Sequence, residues 1–268
     1  MTDVYSAPTS SLIENTIPYS GKGSLEDGIA GCYNFSIGDI LGESWKLVSG
    51  KKSTIWLSYL FYVVALIVLR VVMTFALAQL DIHDDKYFKG SFRDNYYLWG
   101  HDLFFRILME IVEMCITLPM AAGLMMLGIK LSADAPVEST EVFQYFDKML
   151  PLLGTTLLKY FITLLGFCCF ILPGIYLAVA YSMTTPLVVE KNLSGWDALE
   201  ASRKTISHNW GSYCVLYFAF GVLAFLSVIP CIIGWVWAMP MGVLLTGVVY
   251  RTMFGYSGEV NTTHKSVE

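Results

Sequence analysis

Leu172-Pro173-Gly174-Ile175-Tyr176 opens an apolar run that Pro186 and Glu190 close, and residues 194–208 follow it as an amphipathic segment. The first part suits hydrocarbon and the second its surface. From Ser194 onward, Trp196, Leu199, Ile206 and Trp210 fall near one helical face, while Asp197, Glu200, Lys204 and His208 fall on the opposite one. The spacing predicts a helix lying at an interface, joined to helices that enter the membrane.

Composition extends this reading to the whole chain. The 268 residues are 55% hydrophobic and 15% aromatic, with a mean hydropathy of +0.57, above the ordinary globular range. The excess is solvated by lipid. Four apolar runs stand out, over residues 53–80, 103–129, 150–189 and 210–254. The last two exceed the ~20 residues that span a hydrocarbon core, so each is expected to fold as a hairpin, broken near 167–174 and 228–234 where Pro and Gly coincide. Six spans result, at about 54–80, 103–130, 150–169, 172–190, 211–229 and 233–254. The expected fold is all-α: a polytopic membrane protein with six transmembrane helices in three hairpins, each preceded by a cytoplasmic amphipathic helix.

Basic residues set the orientation. With six spans, one face holds Lys22, Lys46, Lys51, Lys52, Lys130, Lys148, Lys191, Arg203, Lys204, Arg251 and Lys265. The other holds Lys86, Lys89 and Arg93, with Arg106 nearby. The positive-inside rule then places both termini in the cytoplasm of a bacterial inner membrane. Residues 81–102 become the sizeable outer loop, with Tyr96, Tyr97 and Trp99 suited to an interfacial belt. Three regions follow: a disordered cytoplasmic tail over 1–35, a membrane domain over 36–255, and a short cytoplasmic tail over 256–268.

An internal repeat fits this layout. Shifting residues 36–49 onto 194–207 superposes Ser36 on Ser194, Asp39 on Asp197, Leu41 on Leu199, Ser44 on Ser202, Lys46 on Lys204 and Ser49 on Ser207. Both copies open with Ser-x-x-Asp, close to a capping box, and both lead into a span. Residues 139–149 hold the corresponding place before the third span. Pro119, Pro173 and Pro240 recur in or at the start of the second span of each unit, which suits either a hinge or ordinary membrane-helix packing.

The stretch from Leu172 to Trp210, with its Leu-Pro-Gly-Ile-Tyr-Leu opening, Pro186, Glu190, Ala198-Leu199, Ser202 and Asn209-Trp210, resembles the membrane domain fused to some bacterial glycerophosphoryl diester phosphodiesterases, and its stand-alone relatives. The resemblance implies a multispan fold over about 36–255 and no chemistry of its own. The fused hydrolase would need ~250 further residues for a catalytic barrel, and the segments outside the spans are too short for one.

Ionisable residues within the spans are the first functional candidates, because each costs ~2.5–3.5 kcal/mol on insertion scales. Arg70, Glu110, Glu113 and Lys159 qualify. Arg70 lies eleven residues before Asp81 and Glu113 eleven after Asp102, so at ~1.5 Å per residue the two reach one depth and are expected to pair. Such a pair serves either as a structural clamp or as part of a polar pathway. Arg106 and Glu110 are spaced for an i,i+4 contact, and Lys159 either snorkels to the interface or binds a ligand.

The remaining patterns exclude more than they assign. Cys115, Cys168, Cys169, Cys214 and Cys231 sit in or beside apolar runs without metal-ligand spacing. Asp84, Asp85, Asp94 and Asp102 fit no calcium loop, and His83, His101, His208 and His264 form no paired ligand motif. The net charge of -5 argues neither for nucleic acid nor for a basic lipid-binding tail, and no nucleic-acid partner is expected. No cofactor, metal or catalytic residue is expected. The expected partners are the lipid bilayer and a membrane protein or a second copy of the chain. The expected function is non-catalytic, as a scaffold, membrane organiser or sensor in envelope maintenance. A small transporter or lipid-translocating protein is the alternative, and a membrane-embedded enzyme the third reading.

Overall fold

The computed structural model describes residues 23–81, 95–227 and 234–256. Its elements are helical, with no strand among the described residues. They are α1 Leu25–Ala30, α2 Ile37–Asp81, α3 Asn95–Ser132, a 3-10 segment Ser139–Lys148, α4 Met149–Cys169, α5 Ile171–Ala180, α6 Thr184–Glu190, α7 Gly195–His208, α8 Trp210–Leu226 and α9 Trp235–Phe254. Four stretches among them are long and apolar enough to cross a membrane: Ile37–Met73, Glu110–Ser132, Ser139–Cys169 and Ile171–Glu190. A fifth is added if α7 and α8, which meet at 89°, count as one bent span. The sequence count of six is higher because it credits α8 and α9 separately. α8 has only 17 residues, and α9 carries Pro240 and Arg251.

α9 lies at the centre of the body, packed against both α2 and α3. Leu244, Leu245, Val248, Val249, Tyr250, Met253 and Phe254 are buried along it. Its approach to α3 is unusually close. A Cβ on Gly247 would lie 2.1 Å from the Gly128 carbonyl oxygen, and one on Gly128 would lie 2.3 Å from the Val243 carbonyl oxygen. Only glycine at both positions lets the two backbones meet, as small residues do between membrane helices.

Two expectations are corrected. The tail expected to be disordered to residue 35 is structured from residue 23. Ser24 caps α1 by accepting from the Asp27 amide at 3.0 Å, and Gly31 ends it in the left-handed region with φ 76°. Tyr33 is buried and donates its hydroxyl to the Thr205 carbonyl at 2.7 Å, and His208 Nε2 lies 3.1 Å from the Ile29 carbonyl oxygen, so local caps and long-range contacts order what composition alone suggested was loose. The expected amphipathic helix before the first span is not separate, because α2 runs unbroken over 45 residues, about 67 Å at 1.5 Å per residue. The expected span over 172–190 is matched by Ile171–Glu190, with a short turn at residues 181–183 between α5 and α6.

The two Ser-x-x-Asp segments begin alike and then part. Ser36 accepts from the Asp39 amide at 3.4 Å and Ser194 from the Asp197 amide at 3.3 Å. Ile40, Ser44 and Val48 are buried, as are Ala198, Ser202 and Ile206 at the shifted positions. They diverge where Asn209, with φ -128° and ψ 32°, breaks the helix before α8. The corresponding residue of α2 is Lys51, a good helix former, whereas asparagine competes locally for backbone hydrogen bonds. Pro119 and Pro240 lie inside continuous helices, and Pro173 falls in the first turn of α5, where a missing amide leaves no helical bond unmade.

From Ser58 outward the structure changes character. No described side chain of α2 beyond Ser58 is buried, and none of α3 before Pro119. The outer halves of α2 and α3 form a two-helix projection clear of the body. The expected outer loop with Asp84, Asp85, Asp94, Lys86, Lys89 and Arg93, the aromatic belt of Tyr96, Tyr97 and Trp99, Arg106, Cys231, and tail residues 1–22 and 257–268 all lie outside the described residues or side chains.

The glycine contact yields a direct test. Gly247→Ala forces backbone apart from backbone and is expected to lower stability by ~1–3 kcal/mol, as overpacking does. Gly211→Ala, where nothing lies within 4 Å of the added Cβ, is expected to leave it unchanged or raise it. Thermal unfolding of both variants in detergent reads the difference; equal midpoints would remove the close contact from the account.

Candidate functional site

Arg70 and Glu113 meet across the projection formed by α2 and α3. Nη2 of Arg70 lies 2.9 Å from Oε2 of Glu113, the pairing that equal depth along two antiparallel helices predicts. The Glu113 side chain is mostly covered, while that of Arg70 is 62% exposed among Ile67, Val68, Val71 and Val72, all exposed and apolar. In such surroundings the charge is tolerable because the carboxylate answers it. Tyr62 lies on the same side, at the end of an aromatic row in which Trp56 meets Tyr59 at 6.1 Å and Tyr59 meets Tyr62 at 6.2 Å.

The other two intramembrane candidates are not drawn into this pair. Glu110 is exposed one turn before Glu113 and joins no ion pair among the described residues. Lys159, partly buried on α4, likewise has no ion-pair or hydrogen-bond partner there. One turn further on, the buried Thr163 hydroxyl also has no hydrogen-bond partner.

α7 buries a different face from the one its large apolar residues suggest. Leu199 and Ile206 are buried, but with Ala198, Ala201, Ser202 and Thr205, while Trp196 is exposed. Trp210 opens α8 and sits beside Tyr176, ring centroids 6.3 Å apart. Small and hydroxyl side chains let α7 settle onto α5 and α6, with the Ser202 hydroxyl donating to the Ala180 carbonyl at 2.7 Å. The polar face is as expected, with Glu200 bonded to Arg203 at 2.8 Å and lying 3.4 Å from Lys204. These bonds hold the Glu200 carboxyl below the usual carboxylate range.

Basic side chains also close helix termini in the body. Lys51 donates to the Leu131 carbonyl at 2.5 Å and Arg251 to the Ser132 carbonyl, both at the end of α3. Lys148 donates to the Val189 carbonyl at 2.6 Å near the end of α6. Cations at these positions satisfy orphan carbonyls and oppose the helix dipole. Carboxylates complete the frame: Glu43 bonds Arg251 at 2.5 Å, Glu141 bonds Lys130 at 2.6 Å and Asp134 bonds Lys51 at 2.5 Å. The Lys51 hydrogen bond holds the Asp134 carboxyl below its ordinary value, so its contribution is present above that range and lost as pH falls through the lowered value. Sequence reading counts these lysines and arginines as orientation signals, and only tertiary geometry reveals the carbonyls they reach.

One group passes unnoticed in the sequence. Glu190 accepts from the Tyr250 hydroxyl at 2.8 Å and lies 3.2 Å from the Lys191 ammonium, with its carboxylate almost wholly covered. In the sequence it serves only as the end of an apolar run; the signal was an acid directly followed by a lysine at that boundary.

For the intramembrane pair, Arg70→Leu or Glu113→Leu alone leaves one charge facing apolar surroundings, at a cost of ~2.5–3.5 kcal/mol. Each single variant is expected to yield less folded protein, and the double apolar variant to recover it. Yields from size-exclusion profiles in detergent check this; additive losses would show that the two side chains do not act as a pair.

Comparison with protein-family models, curated proteins and solved structures finds no match for this chain.

Proposed function

We propose that this chain is a non-catalytic multi-pass protein of the bacterial inner membrane, a scaffold or organiser of the bilayer at its cytoplasmic face. Three hairpins enter from that face and both termini remain in the cytoplasm. The observation that carries this reading is the use made of charge. Arg70 and Glu113 clamp one hairpin, while Lys51, Lys148 and Arg251 cap helix ends of the body. These groups serve to hold helices together. The right-angled joint between α7 and α8 supports a helix in the headgroup plane, with Glu200, Arg203 and Lys204 turned to water and headgroups. Eleven basic residues on the side of the termini against three on the other support the orientation.

A small transporter or lipid-translocating protein is the second reading. Lys159 favours it, as a cation in an apolar helix with no ion-pair partner among the described residues.

Two measurements bear on the choice. In a strain lacking the protein, the Arg70→Leu/Glu113→Leu double variant is expected to restore envelope integrity as well as the unaltered chain does; failure at normal protein level would assign the pair to a transport route. For orientation, cysteine labels at residues 20, 140, 200 and 262 are expected to react from the cytoplasm and one at residue 90 from outside. Reaction at residue 200 from outside would reverse the topology.

A further inference from the structure

The helix joint between α4 and α5 is at once uncharged and exposed, unlike the buried turn between α5 and α6. Residues 160–189 contain no Asp, Glu, Lys, Arg or His, and the turn projects Phe170, Ile171 and Leu172 with 76%, 70% and 79% of their surfaces exposed. A shallow groove beside it is lined by Phe167, Phe170, Ile171, Leu172 and Pro173. The backbone is economical. Phe170 is the single residue between the two helices; its amide donates to the Gly166 carbonyl at 3.1 Å and its carbonyl accepts from the Gly174 amide at 3.3 Å. Pro173 has no amide to satisfy. A turn of this kind leaves fewer orphan polar groups than two helix ends ordinarily do. The sequence joining α2 to α3 is the opposite, with Asp84, Asp85, Lys86, Lys89, Arg93 and Asp94 between the helices.

Two distances give the reach of α4 and of α8 beyond the level of α7. Gly195, the first residue of α7, packs directly on α4: a Cβ there would lie 2.5 Å from the Thr155 hydroxyl oxygen. If α7 marks the headgroup plane, Thr155 marks the same level on α4. Fifteen residues separate Thr155 from Phe170, about 22 Å at 1.5 Å per residue. α8 leaves that level independently at Trp210 and ends at Leu226 after 17 residues, about 25 Å. Both fall short of a hydrocarbon core ~30 Å thick, and any tilt shortens them further. By contrast, α2 continues from Ser58, the last buried residue among its described side chains, to Asp81, about 35 Å beyond the body.

We infer that the α4–α5 hairpin enters from the cytoplasmic face and ends inside the hydrocarbon, its Phe170-Ile171-Leu172 tip packed among acyl chains, while the α2–α3 hairpin crosses completely. This rests on the membrane reading proposed above and refines it. The chain then occupies more area in the cytoplasmic leaflet than in the opposite one. Exposure of three large apolar side chains at one turn is unfavourable at an aqueous surface and favourable among chain ends.

The exposed Cys169 at the tip and exposed Cys32 beside α1 provide positions for probes. Full-length protein carrying one cysteine at a time, at 169 or at 32, is labelled with a nitrobenzoxadiazole fluorophore in detergent. It is then reconstituted into phosphatidylcholine–phosphatidylglycerol vesicles containing nitroxide lipid labelled at the headgroup or near the chain end. The inference expects the probe at 169 to be quenched most by the chain-end nitroxide and to resist dithionite on both sides. Bleaching from the side opposite Cys32, with strongest quenching by the headgroup nitroxide, would show a complete crossing and overturn the inference alone. Bleaching from the Cys32 side with no quenching by either lipid would place the body outside the bilayer and overturn the membrane reading too. A second measurement needs no cysteine replacement. Leu172→Asp removes little packing from so exposed a side chain, and is expected to reduce membrane-inserted protein several-fold relative to Leu172→Ala. Equal insertion of the two would place the tip in water and overturn the inference.

Discussion

The body of this protein depends on the contact between α3 and α9. At Gly128 and Gly247 the two backbones approach so closely that a single methyl group would collide with a carbonyl oxygen. Such proximity gives many weak dispersion contacts along the facing helices at once. It also sets where α9 ends. Because α9 is held there, Arg251 reaches both the Ser132 carbonyl and Glu43, and Tyr250 reaches Glu190. Three helices, α2, α3 and α6, are thereby tied at one end by α9.

That arrangement divides the molecule physically. Within the body, helices are held by buried side chains and by hydrogen bonds to helix ends. In the outer halves of α2 and α3 no described side chain is buried, so packing within the chain contributes little. The ion pair of Arg70 and Glu113 becomes the specific contact that sets the register of the two helices. A polar pair is well suited to this role in apolar surroundings, where hydrophobic contacts between helices are no better than contacts with lipid.

Several of these features are legible in the sequence. The length and composition of the apolar runs foretell long helices, and Pro173 with Gly174 marks the break that falls at Phe170. Counting residues from Asp81 and Asp102 brings Arg70 to Glu113, because an α-helix converts sequence distance into depth. Ser-x-x-Asp announces the starts of α2 and α7, and Ser24 and Asp27 mark that of α1 in the same way. Other features depend on contacts across the chain. The buried face of α7 is centred on alanine, serine and threonine, which hydrophobicity ranks low but close packing favours. Lys51 and Lys148 look like surface charges until their carbonyl partners are seen. Nothing local marks Gly128 and Gly247 as neighbours, since they are separated by more than a hundred residues.

The most direct test of this account is hydrogen–deuterium exchange of the intact protein in lipid nanodiscs, read at the last turn of α9. Met253 and Phe254 are fully buried there, yet in the proposed topology the turn lies at the cytoplasmic end, where lipid does not shield it. Its protection therefore reports packing. The account predicts that the amides of residues 250–254 are among the slowest to exchange in the chain, opening only when the body opens. Exchange of that turn as fast as that of an exposed helix end would contradict it.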